Sequence, residues 1–420
     1  MGGPLSPRGR TPRAPCGGRY AGGACLSLER NAEPHMSPQI PRWNLSPRFP
    51  WEEGMSLVEL LTAVAVTAVV MLSVYGALTA QQRLYGEEQL ILELQQNLRT
   101  ALDAAAQTFE QAGYWRCVDP HRIDLDGSGV KNALRDAGGL FHTHPVVGFN
   151  NVSADSDPFA DGQTRRGTDV LGYSFLDPAF HGPLAQDQAV PSDSLRLVKN
   201  SFTSSLKKGQ IVFVTACRRS ALFQVTGVST SGGVVTLEHD PALGIPGNAT
   251  RCLKCDDGTS ACLDESACAA AGTGFNRDIS FIHPVRVGYF RVNTKGEFQW
   301  IEGGPGSGVQ FVFSGPRTLA ENVEDFQVEF GLDLSPTPDG SVEAWVPADA
   351  LPDAMPEDGF PDWERVTAVR CHLLGRTRRA FKNYVDTSTY LFADRDAEPV
   401  GDGYRRLHLM KTVILRNAMP

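Results

Sequence analysis

A single carboxylate, Glu59, stands in an otherwise uncharged apolar run from Met55 to Ala80. A carboxylate inside an apolar helix costs about 2.5 to 3.5 kcal/mol on insertion scales, so it calls for a positive partner. No Lys, Arg or His lies on that run. The partner therefore comes from a chain end or from another molecule, and cleavage after Gly54 would create one at the new α-amino group of Met55.

Sulfur is the second chemistry-bearing element. Of nine cysteines, Cys16 and Cys25 precede the apolar run, while Cys117, Cys217, Cys252, Cys255, Cys262, Cys268 and Cys371 follow it. In an oxidising envelope compartment the default for such residues is disulfide bonding. Cys252, Cys255, Cys262 and Cys268 crowd into a Gly-, Asp-, Ala- and Ser-rich insertion at 250–270 that cannot bury a core of its own. Covalent staples explain them better than four-thiolate zinc, because the second pair is spaced too widely for the usual knuckle. Cys117 and Cys217 can pair, leaving Cys371 odd, although connectivity does not follow from sequence.

Other metal readings are weaker. Asp124-Leu-Asp126-Gly-Ser128-Gly129 resembles the start of a calcium loop, but it lacks the third acidic ligand and the distant Glu and reads better as an Asp-Gly turn. His142 and His144 flank Thr143 on an extended segment and read as loop residues. No Gly-x-Ser-x-Gly elbow, phosphate-binding Gly-rich loop, His-Glu-x-x-His or dinucleotide fingerprint occurs. The expectation is a non-enzyme without catalytic residues, cofactor or metal.

The elements that must position these groups follow from patterning. Residues 1–54 are rich in Pro, Gly and Arg without periodicity, and read as a disordered leader discarded by cleavage. Its seven arginines against four glutamates keep it in the cytoplasm and send the rest out. Residues 55–80 exceed the roughly 20 apolar residues that cross a bilayer. Beyond them Leu84, Ile91, Leu94, Leu98, Leu102, Ala105 and Phe109 recur at helical spacing, predicting an amphipathic continuation over 81–113 that Gly113 stops. Gly76 and Gly86 each weaken that helix by about 1 kcal/mol relative to Ala.

Residues 114–420 show short β-type runs between Gly, Pro, Asn and Asp: 170–175, 210–215, 222–228, 234–238, 285–292, 309–313 and 325–333. In the last, Phe326, Val328, Phe330 and Leu332 alternate with polar positions, as in a strand with one buried face. Leu407, Leu409, Val413 and Leu415 keep the same parity. The predicted fold class is α+β, a long N-terminal helix packed on an antiparallel sheet head with long loops. A net charge of −9 argues against a general nucleic-acid surface. Arg376-Thr-Arg378-Arg379 is the densest local basic run.

Gly54, then Met55-Ser-Leu-Val, Glu59 and an unbroken apolar helix resembles the type IV prepilin N-terminus. The blocks 210–217, 221–226, 322–331, 363–370 and 412–417 resemble PilW-type minor pilins in their order along the chain. The resemblance implies a type IV pilin-like fold and a prepilin peptidase that cuts after Gly54 and methylates Met55. It also implies that Glu59 meets the N-terminal amine of a neighbouring subunit. Implied partners are other pilins and minor pilins, a tip adhesin and an inner-membrane assembly platform. The precursor would sit in the inner membrane by one helix before reaching the pilus at the cell surface and priming assembly near its tip. The alternatives are a pseudopilin of a type II secretion system and a membrane-tethered adhesin or DNA-binding module.

Overall fold

The computed structural model describes residues 56–118, 130–135, 140–241, 243–254, 265–268, 270, 272–335, 339–351, 363–395 and 400–418. The leader, Gly54, Met55, Asp124 to Gly129, Cys255 and Cys262 lie outside these residues. The chain divides into two units, Met1–Leu72 and Ser73–Pro420. Helix α1 (Leu57–Phe109) contributes to both. In the first unit its residues through Leu72 are exposed along their whole length.

The second unit carries the rest of α1 and the strands. In chain order these are β1 (Val130–Asn132), β2 (Val146–Phe149), β3 (Val170–Leu176), β4 (Gly182–Pro183), β5 (Leu195–Val198), β6 (Ile211–Thr215), β7 (Ser220–Gln224), β8 (Gly227–Ser231) and β9 (Val234–Glu238). A short helix α2 (Glu265–Cys268) precedes β10 (Phe281–Val292), β11 (Phe298–Pro305), β12 (Phe311–Ala320), β13 (Val323–Leu332), β14 (Ala344–Val346), β15 (Val366–Arg376) and β16 (Arg406–Ile414). The class is α+β, as patterning predicts.

In place of the one expected sheet the described residues form three: a nine-stranded sheet centred on β10, a four-stranded sheet in the order β14-β13-β15-β16, and a three-stranded sheet β5-β9-β8. The pairing is antiparallel except that β1 runs parallel to β7. The reason for the extra sheet lies in β6. Ile211 and Phe213 enter the core that contains α1, whereas Val212 and Val214 enter a second core with Leu195, Leu237 and Phe275. A strand buried on both faces needs a layer on each side, and the three-stranded sheet contributes Leu195, Leu197, Val235 and Leu237 to that layer.

The run 222–228, expected as one strand, is divided between two sheets. Val225 N–H donates to Gln210, while Thr226 N–H donates to Glu238, so the chain changes partners between these residues. The expected runs 285–292, 309–313 and 325–333 are observed as β10, β12 and β13, with β10 four residues longer at its start and β12 extending to Ala320.

The helix packs through the periodic face. Leu94, Leu98, Leu102, Ala105 and Phe109 are buried, whereas Leu84, expected on the same stripe, is exposed. Phe109 lies against Tyr173 and Phe290, with ring centroids 6.1 and 5.3 Å away. Gly375 on β15 lets the helix approach, since a Cβ there would meet Leu98 at 2.9 Å and Leu94 at 3.0 Å. The helix ends at Phe109, four residues before the expected stop at Gly113. Gly113, at φ +76°, turns the chain out and donates its N–H to Ser174. Only glycine adopts that region without cost. The helix is continuous through Gly76 and Gly86, where a Cβ would meet nothing within 4 Å.

Candidate functional site

The start of α1 explains how Glu59 is held. The carbonyl of Ser56 accepts the first helical hydrogen bond from Leu60 N–H, which makes Ser56 the N-cap. Its Oγ accepts from Val58 N–H at 3.3 Å, and Glu59 Oε2 accepts from Ser56 N–H at 3.0 Å. Ser56-Leu-Val-Glu59 is thus a reciprocal capping box, two orphan donors satisfied by two side chains. The carboxylate also sits where the helix dipole favours negative charge. Leu57, Val58, Leu60, Leu61 and Val64 around it are exposed. Among the described residues α1 is the one helix long and apolar enough to cross a membrane, and none of that stretch is buried. A short-range contact therefore engages Glu59 Oε2 within its own helix, and the carboxylate remains on an open apolar surface.

Among the described residues two disulfides tie the second unit. Cys117 is bonded to Cys217, and Cys252 to Cys268. The first joins the turn after α1 to the β6-β7 hairpin across a sequence separation of 100, so it closes the larger loop and restricts the unfolded chain more. Replacing Cys117 and Cys217 together with Ala is expected to lower head stability by about 2 to 5 kcal/mol, read as a downward shift of the thermal midpoint under non-reducing conditions. Cys371 is a free thiol, buried on β15, and burial pushes it up to about 12, with the Asp169 charge adding to the effect. A thiol so placed is inert.

His142 and His144 meet through the backbone: the His142 Nδ1 lies 3.0 Å from the His144 carbonyl. The His142 ring stands edge-on to Tyr289, its Nε2 is buried without a partner, and burial lowers its pKa to about 3. The ring is half-buried, and its surroundings disfavour the charged form.

Three carboxylates that spacing did not single out, Asp333, Asp339 and Glu343, come together. Asp333 accepts N–H bonds from Ser335, Asp339 and Gly340, which accounts for it as the organiser of a turn.

Two further clusters were missed. Arg406, on β16, faces Glu324, Asp386 and Asp402. His372, on β15, bridges Glu329 and His408. The parity of β16 places Arg406 and His408 on one face, but no spacing reveals partners 82 and 36 residues away.

The basic run 376–379 is largely neutralised. Arg376 lies 3.5 Å from Glu324 and over the Tyr404 ring, and Arg378 is 4.0 Å from Glu93 of α1.

The family model of the type IV pilus-assembly protein W, PilW, matches residues 306–417. That segment runs from β12 through β16 and contains the whole four-stranded sheet against which α1 packs. Over this segment the chain is similar to PilW. Of the sequence blocks resembling PilW-type proteins, 322–331, 363–370 and 412–417 fall inside the matched segment, and 210–217 and 221–226 fall outside it. Among solved structures, the type IV-like pilin TTHA1219 from Thermus thermophilus is similar over 33% of this chain and 70% of its own, at 20% identity and a TM-score of 0.19. No curated protein matches the chain.

Proposed function

We propose that the protein is a minor pilin, matured by cleavage between Gly54 and Met55 and methylated on Met55, that enters a type IV pilus as a low-copy subunit. The observation that carries this reading is the pairing of a capped, exposed apolar helix bearing one carboxylate, Glu59, with a sheet in the PilW-matched segment. In assembly the apolar residues of α1 move from lipid into a bundle of subunit helices. Glu59 loses its water there and is neutralised by the α-amino group of a neighbouring subunit, since a buried carboxylate without a partner is strongly disfavoured. Met55 as the first mature residue, in place of the usual Phe, favours a minor over a major subunit. Its partners are then other pilins and minor pilins, the prepilin peptidase, the inner-membrane platform and a tip adhesin, with a place near the pilus tip and a part in priming assembly. The inner membrane holds the precursor, and the pilus carries the product.

Intact mass and N-terminal sequencing of the chain recovered from sheared filaments tests the proposal. The expected species begins at N-methylated Met55. An uncleaved chain confined to the inner membrane, beside normal filaments, overturns it and leaves a tethered binding module.

A further inference from the structure

On the face of the four-stranded sheet turned away from α1, two histidines are joined ring to ring. His372 Nδ1 lies 3.0 Å from His408 Nε2, and His372 Nε2 lies 2.9 Å from Glu329 Oε2. Arg370 Nη1 donates to the same carboxylate oxygen at 3.0 Å. A carboxylate can only accept, so His372 Nε2 carries a hydrogen. In the neutral pair Nδ1 of His372 is then a bare acceptor and His408 Nε2–H donates to it. One added proton leaves the contact intact, because either ring can be the donor and the other the acceptor. A second places N–H against N–H and cation against cation.

The pair holds something down. Phe392 stacks on the His408 ring, centroids 4.2 Å apart and planes 9° from parallel, and lies near-parallel to His372 at 5.6 Å. Phe392 belongs to the long connection between β15 and β16, residues 377–405. Other anchors of that connection include Asp386 and Asp402 on Arg406, Arg395 on Asp325, Asp394 accepting from the side chains of Asn150 and Asn151, and the Tyr404 ring under Arg376.

We propose that His372 and His408 form a clasp that keeps residues 377–395 of the connection on the sheet at neutral pH and releases them in mild acid, when the pair takes up its second proton.

The electrostatics agree in sign. Burial lowers the pKa of both rings; for His408 the charge of His372 adds to this, and for His372 Arg370 adds to it while Glu329 opposes it. Arg395, over the Phe392 ring, is a further cation on the connection. A released histidine returns toward its ordinary value near 6.5. The open form thus binds protons more readily than the closed one, and the closed form loses ground as pH falls below that value, by up to roughly tenfold per pH unit for each proton taken up. Hydrogen bonds from Arg406 hold Asp402 below the usual carboxylate range. At Asp386 burial works upward, but bonds from Ser388 N–H, Arg406 and Tyr390 prevail and keep it low. These anchors stay charged through mild acid. Asp169, raised by burial to about 7 and facing Asp394 and Asp349, titrates nearby, and variants of the histidines separate the two events.

The test is hydrogen exchange by mass spectrometry on the full chain in detergent micelles between pH 7.5 and 5.0, corrected for intrinsic exchange rates. Protection across 377–395 is expected to fall by up to roughly tenfold per pH unit below about 6, while β10 and β11 hold theirs. His408→Gln retains an N–H donor and does not titrate, so the pH dependence should flatten. Equal dependence in wild type and variant, or none in wild type, overturns the proposal. Ring nitrogen shifts of His372 and His408 in the wild type give a readout independent of any variant: both rings becoming charged as protection is lost supports the clasp, and rings that stay neutral through the loss overturn it.

Discussion

Replacing Arg406 with Met is expected to destabilise the head by about 3 to 5 kcal/mol, the cost of removing one partner from a buried ionic cluster. The Arg406 side chain is 1% exposed, and Asp386, one of its partners, is fully buried. The guanidinium uses every donor it has: Nε and Nη2 to Glu324, Nη1 to Asp386, and Nη1 and Nη2 to Asp402. Hydrogen bonds to Asp402 head the causes that push its pKa upward, with burial opposing. Met fills the volume of the stem but leaves three carboxylates facing one another. A loss of this size is a large share of the roughly 5 to 15 kcal/mol that stabilises an ordinary domain.

The pH dependence separates this account from simple loss of packing. In the native protein the depressed Asp402 and Asp386 contribute stability that is full above their unfolded values and is lost as pH falls through the folded ones. In the variant those carboxylates gain by protonation, so the gap between the two proteins narrows toward pH 4. Urea unfolding at pH 7 and pH 4 measures it. A constant gap would mean that the cluster contributes by shape alone.

How much of this was legible in the sequence depended on the range of the interaction. Glu59, alone in an apolar run, and the three- and four-residue steps from Leu94 to Phe109 are local signals, and α1 follows from them with its end within a few residues. Strand existence was legible for the same reason, since Val234–Glu238 and the alternation around Phe326 to Leu332 are set by residues next to one another. Partner choice was not. The run 222–228 is uniformly strand-like, and only Gln210 and Glu238, which receive its two backbone donors at Val225 and Thr226, divide it. The same holds for β6, whose uninterrupted apolar side chains say that both faces are covered but not by what. Of the candidate site, the Ser56 to Glu59 box is a four-residue pattern and could have been read directly as a helix cap. The Arg406 and His408 clusters could not, because a polar residue on an outer strand face reads as solvated until Asp386, Phe392 and Asp402 are seen against it.

Glu59→Gln is expected to leave the precursor in the membrane at wild-type amounts, cleaved as usual, and to reduce its recovery in filaments by at least about 100-fold. The size follows from the proposed assembly contact: breaking a buried charge pair costs about 3 to 5 kcal/mol, and each 1.4 kcal/mol is roughly tenfold. Gln is the informative change because it alters charge and little else. It serves the capping box as Glu does, so the acceptor for Ser56 N–H is kept and the helix start is unchanged. Bilayer insertion becomes easier, since a carboxylate costs about 2.5 to 3.5 kcal/mol in an apolar helix. Ser56→Ala is the complementary variant. It removes the Oγ that caps Val58 N–H at a cost of about 1 kcal/mol and spares the charge, so its recovery in filaments should stay within about tenfold of wild type. Quantitative blotting of sheared filaments against membranes reads both. If the Glu59→Gln chain enters filaments at the wild-type level while the Ser56→Ala chain does not, the carboxylate serves only to start its own helix, and subunit docking must rest on the apolar surface of α1.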